Sequence, residues 1–125
     1  MTSIFDNGSI YLPDINGIIA SEPWNKHVKF QGVCMKDIIT GTGTEGAFSV
    51  HFVKIESRCS IGEHLHEGKA ELHEIIAGSG NCFIDGKEVF YSPGDFALIP
   101  CDTLHSVTAG DNGLFLIAKF VPALY

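Results

Sequence analysis

At 125 residues, with 45% hydrophobic side chains, 14 glycines and nine phenylalanines, the chain has the length of one domain and enough apolar matter for one core. Its formal net charge of −7 at pH 7 argues against nucleic acid or an anionic membrane as partner, because either needs a basic patch to displace counterions. The start Met1-Thr2-Ser3-Ile4-Phe5-Asp6-Asn7-Gly8 lacks the basic region and apolar core of a secretion signal, and no window reaches the roughly eighteen apolar residues of a membrane span, so a cytoplasmic protein is expected.

Residues 9–12 and 15–20 read as short strand pieces punctuated by Pro13-Asp14 and Asn16-Gly17. Trp24, the single tryptophan, is expected to anchor its segment against the rest of the fold. Residues 28–39 carry a weak strand pattern, and residues 40–46, rich in glycine and threonine, read as a loop. Residues 47–55 alternate well, with Phe48, Val50 and Phe52 on one face and Ser49, His51 and Val53 on the other.

His64 and His66 stand two apart, so in a strand both imidazoles share one face while Leu65 takes the other. Glu67-Gly68-Lys69-Ala70 reads as a loop, after which Glu71 opens an apolar run and returns a carboxylate beside the pair. That strand is predicted to residue 77, with a turn at Gly78-Ser79-Gly80. Residues 81–84 and 87–91 flank Asp85-Gly86, a strong hairpin signal because both turn positions need positive φ. Ser92-Pro93-Gly94-Asp95 is a turn, residues 96–99 a strand, and His105 arrives from a later strand. Asp111-Asn112-Gly113 reads as the last turn before a strand over 114–121.

No helix is predicted. Short strands between regular turn signals read as an all-β sandwich or barrel. Leu114-Phe115-Leu116-Ile117-Ala118 is continuously apolar where a strand with one wet face would alternate, so both its faces are expected to be covered. The N-terminal segment, of this chain or of a partner subunit, is the candidate cover, and residues 1–46 are assigned to it, with the barrel over 47–125. Cys34, Cys59, Cys82 and Cys101 form no Cys-x-x-Cys and read as small buried hydrophobes in a reducing compartment.

Two same-face histidines are costly to bury without partners for their ring nitrogens, and a metal ion satisfies one nitrogen of each ring. His64, His66, Glu71 and His105 are therefore the candidate ligands, whereas His27 and His51 are not assigned to metal. Glu74 has the wrong parity. His73 shares the parity of Glu71 and is expected inside, as a partner to a ligand, a general acid or base, or a ligand in place of Glu71; the proton-transfer role makes it the candidate catalytic residue. Phe48, Ile75, Phe83, Phe96 and Leu98 are expected to line the barrel.

The spacing resembles the cupin superfamily. Its first motif joins His-x-His to a glutamate and then to a glycine, and His64, His66, Glu71 and Gly78 fit that frame. Its second motif joins glycine, proline and histidine, met here by Gly94, Pro100 and His105. Arg58 and Asp102 stand where the motifs place glycine, and Ala109 where they place asparagine. The resemblance implies a double-stranded β-helix, or jelly roll, and a 3-His/1-Glu centre for a divalent transition metal, with Fe, Mn, Ni, Zn and Cu all compatible with those donors. An octahedral ion held by four protein ligands leaves two positions for a small chelating ligand. It implies, too, a homodimer and either dioxygenase, isomerase, decarboxylase or lyase chemistry on a small oxygen-rich metabolite, or non-catalytic capture of a carboxylate or sugar-like ligand.

Overall fold

A period of two runs through β5 (Ser49–Ile55), β7 (Ala70–Ile84) and β10 (His105–Val121), and it decides which side chains enter the protein. On β7, Glu71, His73, Ile75 and Ala77 are buried. Glu74 faces out, and its carboxylate accepts a hydrogen bond from Lys119 Nζ at 2.8 Å. The computed structural model describes residues 6–125, so the first five residues of the start read above for a signal lie outside the described residues.

The main sheet runs β3 (Asn25–Lys26), β4 (Val33–Ile39), β5, β10, β7, β8 (Lys87–Tyr91), with β6 (Ser60–His64) paired to β10 and β9 (Phe96–Ile99) paired to β7. β1 (Ser9–Tyr11) and β2 (Asn16–Ile18) form a separate pair. β7 meets β9 through its first residues and β8 through its last, while β10 meets β6 first and β5 later. Each long strand therefore serves both layers of a jelly-roll β-barrel. The sheet reaches back to Asn25, ahead of the boundary expected at residue 47.

Both long strands bend where the sequence suggested turns. Gly78 and Gly113 have φ of 81° and 76°, and the register jumps from Ala109 opposite Gly80 to Leu114 opposite Gly78. A Cβ on Gly78 would collide with Gly113 O. Gly78-Ser79-Gly80 and Asp111-Asn112-Gly113 are thus facing kinks within continuous strands: flanking ladders on both sides hold the chain extended, and the glycines provide the bend. Asp85-Gly86, with φ of 51° and 80°, does reverse the chain, between β7 and β8.

The continuous apolar run is explained by two cores. Leu114, Leu116 and Ala118 join Val33, Val53 and Ile75 inside the barrel, while Phe115 and Ile117 pack outside with Phe52, Ile10 and Ile19. Burying a side chain such as Leu114 or Leu116 contributes about 2 kcal/mol each. The outer cover among the described residues comes from the same chain. Trp24 belongs to it, with Lys36 Nζ and Lys54 Nζ 5.0 and 4.4 Å from its ring centre.

Other expectations are corrected. Asn16-Gly17 lies in β2 rather than a turn, and Ile19–Ser21 is a short 3-10 turn, as is Gly41–Thr44. The strand expected over 28–39 begins only at Val33. Phe48, Phe83, Phe96 and Leu98 face outward, 41%, 42%, 68% and 64% exposed, because the opposite parity of each strand fills the barrel; Ile75 alone of that set is inside. Cys82 is buried and Cys34 and Cys59 half-buried, but Cys101 is exposed, and all four are free thiols. No helix of the described residues is long and apolar enough to cross a membrane.

Candidate metal centre

Three elements deliver the candidate ligands to one end of the barrel. β6 ends at His64, and the chain continues through exposed Leu65 to His66 without a strand partner, so the two imidazoles lie with ring centres 4.9 Å apart. His105 opens β10 opposite His64, with ring centres 4.1 Å apart. Glu71, second residue of β7, points up between them. One donor atom from each of His64, His66, Glu71 and His105 falls within a 4.8 Å cluster.

Backbone carbonyls fix two of the rings. His64 Nδ1 lies 2.8 Å from Gly62 O and His105 Nδ1 lies 2.9 Å from Thr103 O. A carbonyl only accepts, so each Nδ1 carries the proton and each Nε2 presents a lone pair to the cluster. Burial pushes the His64 and His66 imidazoles below their ordinary pKa, which favours the same neutral form.

Glu71 is held from behind. His73 Nε2 donates to Glu71 Oε2 at 2.8 Å, and His73 Nδ1 is 2.8 Å from the Tyr91 hydroxyl. Burial, the largest single influence, would lower the His73 pKa, but the Glu71 carboxylate and Cys82 together outweigh it and lift His73 to about 9. Burial likewise pushes Glu71 up, yet the charge of His73 and the closeness of His105 keep its carboxyl well below the usual range. His73 thus occupies Glu71 Oε2 and leaves Oε1 facing the imidazoles of His66 and His105.

Glu71 Oε1 and His105 Nε2 are buried, 3.1 Å apart, and have no hydrogen-bond partner among the described residues. His66 Nε2 is 3.6 Å from the same oxygen. Two adjacent buried lone pairs are costly unless a cation lies between them, so the donor set fits a divalent transition metal. Tyr91, the second partner of His73, carried no sequence signal beyond strand parity.

The sequence pattern of the Cupin domain family matches residues 51–117. The chain belongs to that family. Among curated relatives of this cupin, quercetin 2,3-dioxygenase of Bacillus subtilis (strain 168) is 29% identical over 82 residues, 66% of this chain and 24% of that protein. The oxalate-binding protein of Thermotoga maritima is 30% identical over 70 residues, 55% of this chain and 58% of that one. The cupin therefore spans about a quarter and somewhat over half of these relatives. A solved structure described as a predicted oxalate decarboxylase, also from Thermotoga maritima, superposes with a TM-score of 0.76 at 22% identity, covering 82% of this chain and 95% of that one.

A cavity of about 400 Å³ opens on the cluster, with His64, His66 and Glu71 on its floor. Its walls are Met35, Val53, Ile61, Phe120, Leu124 and Tyr125, with Lys26 and His27 also lining it. His73 is 3% exposed and is not part of the lining.

Proposed function

We propose that this cupin is a metal-dependent enzyme acting on a small oxygen-rich metabolite, a carboxylate, keto acid or phenolic, chelated at a centre formed by His64, His66, Glu71 and His105. The observation that carries the reading is the unpaired atoms Glu71 Oε1 and His105 Nε2, set beneath an open cavity of about 400 Å³ whose floor is His64, His66 and Glu71. A divalent metal held there supplies Lewis acidity to a chelated oxygen pair. His64 and His105 aim Nε2 through their backbone carbonyl bonds, and His73 fixes Glu71. His73 is assigned a positioning role in preference to proton transfer, since both its nitrogens are engaged and its ring is shielded from the cavity.

That same shielding favours a second reading, a non-catalytic module that captures a small carboxylate or sugar-like ligand: apart from the ligands, the basic groups lining the cavity are Lys26 and His27. A homodimer is proposed for either reading, built on the outward apolar side chains Phe96 and Leu98. Turnover of dicarboxylates, keto acids and flavonols by metal-loaded protein, under air and under nitrogen, separates the readings. Oxygen uptake marks a dioxygenase and anaerobic turnover an isomerase, lyase or decarboxylase. Tight binding without product supports the module, and loss of neither metal nor ligand binding on replacing Glu71 and His105 sinks both.

A further inference from the structure

His51, set apart from the metal ligands, sits at the centre of a second buried network. Its Nδ1 lies 2.7 Å from Asp37 Oδ1 and its Nε2 2.8 Å from Ser49 Oγ. The constellation matches that of a serine hydrolase, but Ser49 is 0% exposed and its oxygen already accepts a hydrogen bond from Leu124 N at 2.9 Å. No substrate can reach it. The bonds instead form one ordered ring: Leu124 N–H donates to Ser49 Oγ, Ser49 O–H to His51 Nε2, and His51 Nδ1–H to Asp37 Oδ1, which also accepts from the Tyr125 hydroxyl at 2.9 Å.

Residues 124 and 125 are the two ends of that ring, and both line the cavity above the metal cluster. Further bonds hold the same segment: Gly41 N donates to Tyr125 O at 2.7 Å, and Lys69 Nζ to Ala123 O at 2.7 Å. The His51 ring packs edge-on against Tyr125 and Phe120, at 5.4 and 5.6 Å between ring centres, and Phe120 packs in the same way on His66 at 4.9 Å. A polar network in which every member has a partner, buried at Ser49 and His51 and reaching solvent at Tyr125, favours one arrangement of the groups it ties.

We propose that Leu124 and Tyr125, clamped by Asp37, His51 and Ser49, are the specificity-determining wall of the cavity and select chelators that carry an apolar body. The proposal rests on the metal-centre reading and narrows its ligand class. With two chelating oxygens at the floor, the rest of a ligand would face Met35, Val53, Ile61, Phe120, Leu124 and Tyr125 beside the polar Asn25, Lys26 and His27, and a bare dicarboxylate would leave the apolar part of that wall uncovered.

Catechol and 4-tert-butylcatechol share one chelating head and differ only in the apolar body. Their dissociation constants are measured by calorimetry on zinc-loaded protein and by ligand-observed NMR on metal-free protein, with bound zinc counted by elemental analysis. The wild-type protein is expected to favour the butylated compound at least tenfold. Leu124→Ala and Tyr125→Ala are expected to bring the ratio near one, and Ser49→Ala and Tyr125→Phe to lower it while zinc content stays unchanged. A general loss of stability would weaken both compounds alike and leave the ratio intact. A wild-type ratio near one, or a ratio indifferent to all four substitutions, overturns the proposal. Absence of bound zinc overturns the metal-centre reading instead, and the metal-free ratio then decides the wall on its own.

Discussion

Glu71 Oε1 and His105 Nε2 face each other at 3.1 Å as two buried lone pairs, with His73 holding the other carboxylate oxygen in place. The arrangement is oriented before any ligand arrives. Close to one divalent transition metal per chain is expected in protein purified from metal-supplemented medium. Loading at a hundred times the dissociation constant is expected to stabilise the fold by about 2.7 kcal/mol, read as a rise in melting temperature of about 10 °C. His105→Ala removes the metal and leaves a folded barrel by circular dichroism; an unfolded variant would make the metal a structural element.

His73 touches Glu71 and Tyr91 but not the cavity. His73→Gln is therefore expected to weaken metal affinity about ten- to a hundredfold, as loss of an orienting partner does. Competition with a chromogenic chelator measures it. Unchanged affinity together with lost turnover would restore the proton-transfer role.

Gly78→Ala is expected to cost about 3 kcal/mol or more in urea unfolding, because it adds left-handed strain to a backbone collision with Gly113 O. Gly86→Ala has the strain, at φ 80°, and open space, and is expected to cost about 1 kcal/mol. Equal costs at the two positions would mean that the kink relaxes freely.

Arg58 and Asp102 replace family glycines, and each sits at φ 60°. They are expected to respond oppositely to glycine. Arg58→Gly relieves strain and loses only an exposed pair with Asp111, for a gain of about 0.5 kcal/mol. Asp102→Gly loses the bond from Gly68 N to Asp102 Oδ1 at 2.8 Å, which pins the loop beside His66, and costs about 1 kcal/mol. Thermal unfolding of both variants checks the signs.

The all-β barrel was legible because the strands read over residues 47–55 and 71–77 fall within or overlap β5 and β7, and the family motifs pointed to the jelly roll. The facing kinks were not, since Gly-Ser-Gly and Asp-Asn-Gly carry the same local signal whether the chain reverses or merely bends. Only the partner strand decides, and it lies some thirty-five residues away. The outward placement of Phe96 and Leu98 was missed for a related reason: parity says which residues share a face, not which face is wet. The gathering of His64, His66, Glu71 and His105 followed from motif spacing, whereas the Tyr91 contact and the Asp37, His51 and Ser49 ring depend on tertiary neighbours alone.

β7 and β10 each run through both layers, so neither layer can detach without tearing the other's central ladder. Opening by parts is therefore suppressed, and exchange of the deepest amides on both strands tracks complete unfolding. The same long-range pairing makes the barrel slow to assemble, since Ile55 must find Leu114 and Ala70 must find Val121 before either contact is rewarded.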